Sequence, residues 1–342
     1  MRFKVVNTIY NPDMNYGEAY LEELDVKLIN GKWMGEDELI ENTADADAVI
    51  CAGPAQPWNS RVIKKLSQCR ILASLAIGYD RIDVEAATEC GIVVTNIPDY
   101  CLDEVSNQAI ALMMALNRRL IPIDRVVRDK QVLLVTPNRQ GIADYARPVQ
   151  RLQEQTLGII GFGKIGTALG LKAKGLGMRV IAYDPHVFGA IIRAHGVEPV
   201  DFDTLLGESD YISINALLND ETRGMIGYEA FKRMKPTCYL INTARGDIVD
   251  QPAMLRAFDE GLISGAGLDV TAKEPIPEDD PILKSPNVIL TGHSAWYSET
   301  ADSGPEYWHK AAIQVVAALK GEWPFYAVNP EIKQKWLHRW GG

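Results

Sequence analysis

The chain has 342 residues, 47% of them hydrophobic and 23% charged, and a formal net charge of −10. That length suffices for two domains with separate cores. The acidic balance, without any Lys/Arg run, argues against a nucleic-acid or anionic-membrane surface.

The longest apolar run, Ala109 to Leu116, is far short of a bilayer span. Five cysteines without C-x-x-C or metal-ligand spacing point to reduced thiols and no metal site. The opening MRFKVVNTIY enters a strand directly and shows no signal-peptide apolar block, so the expected location is cytoplasmic.

Residues 3–100 alternate short strands and helices. Strands are expected at Phe3–Val6, Val26–Leu28, Ala48–Cys51, Ile71–Ser74 and Ile92–Thr95, with helical patterns over 35–41, 60–66 and 83–89. Five βα units of this kind predict a parallel, flavodoxin-like sheet. This half has no glycine fingerprint, which makes it a poor cofactor site and a good candidate for holding substrate.

Pro98 closes that stretch, and Asp103 reads as the N-cap of the next helix. The Ala109–Leu116 segment of that helix is apolar all round, which predicts burial on most sides. Residues 131–150 are irregular and polar. The stretch Thr156–Asp184, TLGIIGFGKIGTALGLKAKGLGMRVIAYD, then organises the rest of the chain. Leu157 to Ile160 suits a strand buried on both faces. Gly161, Gly163 and Gly166 form G-x-G-x-x-G, with a helical pattern following at once. Gly161 allows the tight turn, Gly163 lets backbone approach a pyrophosphate, and Gly166 permits close helix–strand packing. The helix N-terminus offers free N–H groups and a positive dipole end to the phosphates. Asp184, 18 residues beyond Gly166 at the end of the second strand, is placed to accept both ribose hydroxyls of NAD and to repel the extra phosphate of NADP.

Further strands are expected near Tyr211–Asn215, Cys238–Asn242, Gly265–Asp269 and Val288–Leu290, separated by helices. They make a six- or seven-stranded doubly wound sheet. From Ser298 the chain turns helical (Tyr307–Leu319) and ends in a Trp-rich tail. Return of that segment to the first half gives a discontinuous substrate-binding domain, 1–102 plus 298–342, and an NAD-binding Rossmann domain, 103–297.

Three segments at strand ends carry groups suited to chemistry. Asn242-Thr243-Ala244-Arg245-Gly246 presents a guanidinium fork that matches a carboxylate. Gly267-Leu268-Asp269-Val270 is followed by Glu274-Pro275, and Thr291-Gly292-His293 by Ser294-Ala295-Trp296. A histidine oriented by a carboxylate, close to an arginine, can move a proton on a substrate oxygen while nicotinamide moves the hydride. His186, His195, His309 and His338 are weaker candidates.

In these motifs, taken with GYDRID (Gly78–Asp83), PNVILTGH and AVNP, the chain resembles the D-isomer-specific 2-hydroxyacid dehydrogenases over nearly its whole length. The resemblance implies two Rossmann/flavodoxin-like domains with the active site in the cleft between them, and a homodimer built largely from the coenzyme domains. It implies an NAD(H)-dependent interconversion of a 2-oxo acid and its D-2-hydroxy acid. Arg245, Glu274 and His293 would be catalytic, and Asp269 would lie near the nicotinamide. Ala76, Ile77 and Gly78 would offer backbone N–H groups to the substrate carboxylate. Lys164 and Ile165 would line the pyrophosphate, with Asn215, Leu217, Thr243 and Ala244 also on the cofactor side.

HSAWYSE (His293–Glu299) and LLND (Leu217–Asp220) are most similar to the C-terminal-binding-protein branch, in which Trp296 would wall the substrate pocket. That branch opens an alternative: an NADH-responsive dimeric regulatory protein that binds partners. Ser74 stands where the branch carries an arginine, Gly292 replaces the usual proline, and Asn215-Ala216-Leu217 replaces the commoner His-x-Pro. The 55–58 loop, the 74–79 loop and Trp296 are expected to shape the substrate pocket.

Overall fold

The computed structural model describes residues 2–14, 16–130, 148–299 and 306–341, with only the backbone of 130 and 306–308. The irregular stretch expected over 131–150 therefore lies outside the described residues, except for 148–150. The chain divides into two compact units, Met1–Tyr100 with Ser298–Gly342, and Cys101–Tyr297.

In the first unit, β1 (Phe3–Asn7), β2 (Val26–Asn30), β3 (Ala48–Cys51), β4 (Ile71–Ser74) and β5 (Val93–Thr95) form a parallel sheet in the order β2-β1-β3-β4-β5. The short runs AVIC in β3 and ILAS in β4 are buried on both faces, as parallel strands under helices must be. Period-2 alternation splits them. Val6, Val49, Leu72 and Val94 pack on one face against Leu39, Val62, Ile63 and Ala86. Val5, Ile50, Ile71 and Val93 pack on the other against Ala311, Val315, Ala318, Leu319 and Trp336. Much of one face is thus covered by the C-terminal segment.

The Trp-rich tail is a helix, Lys333–Trp340. Trp336, Leu337 and Trp340 fall one and four residues apart, so they share a face. Trp336 is 1% exposed and its Nε1 donates to Arg70 O at 2.9 Å. Trp58, expected at the substrate pocket, is wholly buried in the core beside Val62 and Ile82. Its bulk completes the sheet's packing instead.

In the second unit, β6 (Thr156–Ile160), β7 (Arg179–Tyr183), β8 (Glu198–Pro199), β9 (Tyr211–Ile214), β10 (Tyr239–Asn242), β11 (Gly265–Leu268) and β12 (Val288–Leu290) form a parallel sheet in the order β12-β11-β10-β9-β6-β7-β8. The order reverses at β6, the arrangement that opens a ligand crevice beyond the carboxyl ends of the strands. Both sheets bear out the doubly wound α/β expectation. The unforeseen β8 is a two-residue edge strand whose Pro199 has no N–H to donate.

Leu102–Asn117 forms one helix. Val105, Ala109, Leu112, Met113 and Leu116 are buried, Ile110 and Met114 only partly, and Ala111 faces out. The helix is one-sided in this chain rather than enclosed. Asp103 is not its cap: Cys101 occupies that position, and Asp103 sits in the first turn with Oδ1 2.6 Å from Lys172 Nζ. Near the helix N-terminus a carboxylate is favourable without capping, and the lysine claims it.

Candidate functional site

The glycine turn follows β6. Gly161 has φ +87°, and a Cβ there would stand 2.6 Å from Ala216 N. Gly166 faces Gly161 O, which a Cβ would approach to 2.2 Å. Both positions exclude a side chain for packing reasons. Gly163 differs: it is exposed, has open space where a Cβ would point, and caps the helix Lys164–Gly175. Backbone can therefore be approached closely at the helix N-terminus, as a pyrophosphate requires. Lys164 is exposed and Ile165 half-buried at the first helical turn.

Asp184 follows β7. Its Oδ2 accepts from Phe162 N (2.8 Å) and its Oδ1 from His186 N (2.9 Å), so the turn itself fixes the carboxylate's direction. Asn215 follows β9, its Nδ2 donating to Ser213 Oγ at 3.1 Å. Asn215 Oδ1 and Thr243 Oγ1 are buried with no hydrogen-bond partner among the described residues. Unpaired buried acceptors and hydroxyls are costly. Two of them at the ends of adjacent strands, beside an open glycine turn, fit a polar ligand such as a dinucleotide. Leu217, at 55% exposure, borders the same rim.

Asn242, 1% exposed at the end of β10, shapes the segment after it. Its Oδ1 accepts from Ala244 N (3.0 Å), and its Nδ2 donates to Arg245 O (2.9 Å). Arg245 is half-buried, and its Nη1 donates to Ala244 O at 2.8 Å. Gly246 lets this loop meet the next one: a Cβ would stand 2.0 Å from Thr271 C. That next loop carries Glu274, whose Oε1 accepts from Thr271 N (3.0 Å) and whose Oε2 lies 2.6 Å from His293 Nδ1. The pair is about one-third exposed on each side. Burial would raise the Glu274 pKa, but the hydrogen bond and charge of His293, the Thr271 amide and the Arg245 charge together hold it below the usual glutamate range. Arg245, Glu274 and His293 thus form one electrostatic group.

Asp269, 2% exposed, binds the histidine loop. Its Oδ1 accepts from Thr291 Oγ1 (2.5 Å) and Ser294 N (3.0 Å), its Oδ2 from Ala295 N (3.0 Å), and its carbonyl from His293 N (2.5 Å). Gly292 and His293 have φ of +64° and +59°. Proline, locked near −65°, has no access to that conformation, so glycine at 292 reflects a different loop backbone and not merely a looser one. A non-glycine residue held there costs of order 1–3 kcal/mol, and Asp269 supplies the bonds that hold it. Trp296 is half-buried, its ring edge-on to Tyr297 at 6.0 Å.

In the first unit, Ser74 is 1% exposed, and its Oγ accepts from Gly53 N (3.2 Å) and Ala76 N (3.3 Å). Asn96 Nδ2 donates to Ile77 O at 2.7 Å. The Ile77 and Gly78 amides have no acceptor among the described residues. His186 Nε2 lies 3.1 Å from Glu221 Oε2, and His195 Nδ1 lies 3.0 Å from Ile191 O. The sequence offered no sign of the supporting bonds from Asn242, Thr271 and Thr291. Gly246 was the available signal, a small residue directly after the arginine.

Among the described residues, no group of three or more His, Cys, Asp or Glu could hold a metal, and no helix is long and apolar enough to cross a membrane.

An open glycine turn at the switch point of a parallel sheet, with an acid–base pair and an arginine at neighbouring strand ends, defines a dinucleotide-dependent oxidoreductase. Comparison with known proteins narrows this. Residues 110–295 match the family model described as D-isomer specific 2-hydroxyacid dehydrogenase, NAD binding domain. A glyoxylate reductase from Korarchaeum cryptofilum is 41% identical over 296 residues, 86% of each chain. A glycerate dehydrogenase from Methylorubrum extorquens is 36% identical over 268 residues, 78% of this chain and 81% of that one. The crystal structure of a D-lactate dehydrogenase from Aquifex aeolicus, complexed with NAD and lactic acid, superposes with a TM-score of 0.78 at 28% identity. That match covers 93% of this chain and 96% of that one. The chain belongs to the D-isomer specific 2-hydroxyacid dehydrogenase family and is an NAD-dependent 2-hydroxyacid dehydrogenase.

Proposed function

We propose that the protein reduces a 2-oxo acid with a small side chain, glyoxylate first among them, to the corresponding 2-hydroxy acid of D configuration where one exists. The observation that carries this reading is the 2.6 Å contact of His293 Nδ1 with Glu274 Oε2, within the electrostatic reach of Arg245. The glyoxylate reductase and glycerate dehydrogenase relatives support the choice of substrate class.

Bound NADH supplies the hydride. Arg245 pairs with the substrate's carboxylate and carbonyl oxygen, and Ile77 and Gly78 present backbone N–H groups to the carboxylate, with the Ala76 N–H exchanging its 3.3 Å bond to Ser74 Oγ for the same anion. With Nδ1 engaged by Glu274, His293 has Nε2 left to donate a proton to the oxygen that becomes the hydroxyl. Glu274 fixes the direction of the imidazole through its 2.6 Å contact with Nδ1. Trp296 limits the size of the substrate side chain. Residues 1–102 with 298–342 serve as the substrate-binding domain and 103–297 as the NAD-binding domain, and the working assembly is a homodimer in the cytoplasm.

The test is NADH oxidation by the purified protein across a panel of 2-oxo acids, with chiral analysis of the product from a longer substrate such as pyruvate. Activity highest on glyoxylate or another two- or three-carbon acid is expected. No turnover of any 2-oxo acid, or an L product, would overturn the reading. Light scattering giving the mass of one chain would remove the homodimer.

A further inference from the structure

The two loops that flank the glycine turn touch one another. One is Asp184-Pro185-His186, tied to the turn by the bond from Phe162 N to Asp184 Oδ2. The other follows β9 and is held against the turn where Ala216 meets Gly161. Because β6 lies between β7 and β9, a contact from His186 to Glu221 crosses the mouth of the groove above the turn. His186 therefore sits between two carboxylates. Its N–H donates to Asp184 Oδ1 at 2.9 Å, and its ring Nε2 lies 3.1 Å from Glu221 Oε2.

We propose that Glu221 is a second determinant of cofactor choice, acting with Asp184 to exclude the 2′-phosphate of NADP(H). The proposal rests on the glycine turn holding the dinucleotide. Around Asp184 the supply of positive charge is small. In the segment 184–188, DPHVF, only His186 could serve a phosphate as a cation, and Glu221 holds it. Segment 217–222, LNDET with its leading Leu217, adds Asp220 and Glu221 and no cation. The next residue, Arg223, has Nη1 2.6 Å from Asp247 Oδ2. Arg193 folds back on its own helix, its Nη1 3.4 Å from where a Gly189 Cβ would be.

A phosphate arriving beside Asp184 would meet two carboxylates and a histidine already engaged. A ribose hydroxyl donates to Asp184 and needs nothing from Glu221. His186 and Glu221 are both exposed, so water and salt limit the effect to several-fold.

The experiment is fluorescence titration of the full-length protein with NADH and with NADPH, for the wild type, Glu221→Gln, His186→Ala and the double variant. Glu221→Gln should tighten NADPH by roughly three- to ten-fold while NADH stays within about two-fold. Adding His186→Ala should remove much of that gain, because the freed imidazole is then absent. Unchanged NADPH affinity in Glu221→Gln overturns the proposal. Equal weakening of both cofactors also overturns it, by showing a structural role. A wild type that binds neither dinucleotide overturns the NAD reading beneath it.

Discussion

The two sheets, of five and seven parallel strands, share a design and differ most in what fills the crevice where strand order reverses. In the first sheet that place, beyond β1 and β3, is filled by Gln56, which is wholly buried. Its Nε2 donates to Trp33 O (2.7 Å) and Thr8 O (3.1 Å), and its Oε1 accepts from Ala52 N (2.9 Å) and Thr8 Oγ1 (3.0 Å). One amide thus satisfies the ends of three strands. In the second sheet the corresponding place holds Gly161 to Gly163, with open space at Gly163. Topology supplies a crevice in both. The residue at the strand end decides whether it becomes a plug or a cradle.

The largest way to break this comparison is to remove residues 298–342. The first sheet would lose Val315, Leu319 and Trp336 from one face, at about 1.5–3 kcal/mol for each large side chain, against a total stability of about 5–15 kcal/mol. Protease or hydrogen exchange should find β1–β5 unprotected in the truncated chain. A truncated protein that folds and turns over normally would refute the discontinuous substrate domain.

Next in size is His293→Ala, expected to lower turnover by roughly 10²–10⁴-fold with NADH affinity changed less than about two-fold. Retained turnover would favour the dinucleotide-sensing binding protein of the C-terminal-binding-protein type. Gln56→Ala should cost about 2–4 kcal/mol by leaving buried groups of three strand ends unpaired, read as a lower urea midpoint, and should leave NADH affinity untouched. Gly161→Ala is the mirror test. It should cost about 1–2 kcal/mol for the left-handed backbone and weaken NADH binding at least about ten-fold, since Ala216 must move.

The smallest effects concern pH. Despite its partial burial, Glu274 is held below the ordinary glutamate range, chiefly by its hydrogen bond with His293, so its stabilising contribution is present at neutral pH. A depressed carboxyl contributes above its unfolded pKa, and that contribution disappears only on acidification through the folded value, below about pH 4.3. Unfolding midpoints of the wild type and Glu274→Gln should therefore converge in acid; divergence there would contradict the depressed carboxyl.

Much of the fold was legible because its strands are short apolar runs between turn residues. Ala48–Cys51, Ile71–Ser74 and Val288–Leu290 fall where the pattern puts them. The helix Lys333–Trp340 was not, since its mean hydropathy is set by Lys, Gln and Arg and only burial against the first sheet makes sense of its tryptophans. Asp103 misled because a cap and a first-turn ion pair use the same residue type. In the candidate site, spacing exposed the glycine turn, Asp184 and the Arg–Glu–His set. It hid how the loops are held: Asn242 and Thr271 fix their own loops through side-chain–backbone bonds that the residue pattern does not announce, and Asp269 ties down the histidine loop 25 residues further along the chain.

The first sheet's strands are all made before Tyr100, yet Val315, Leu319 and Trp336 on its second face come after Ser298. On the ribosome, synthesis from the N-terminus usually lets early domains fold first. Here the order is reversed. The five strands leave the tunnel early and wait, one apolar face covered only in part by Tyr16 and Leu21, while the whole glycine-turn unit is translated and can fold. Only near the end of translation does the rest of their cover arrive. A nascent chain of this design carries exposed apolar surface through that interval, and slow codons late in the message would lengthen its most aggregation-prone state.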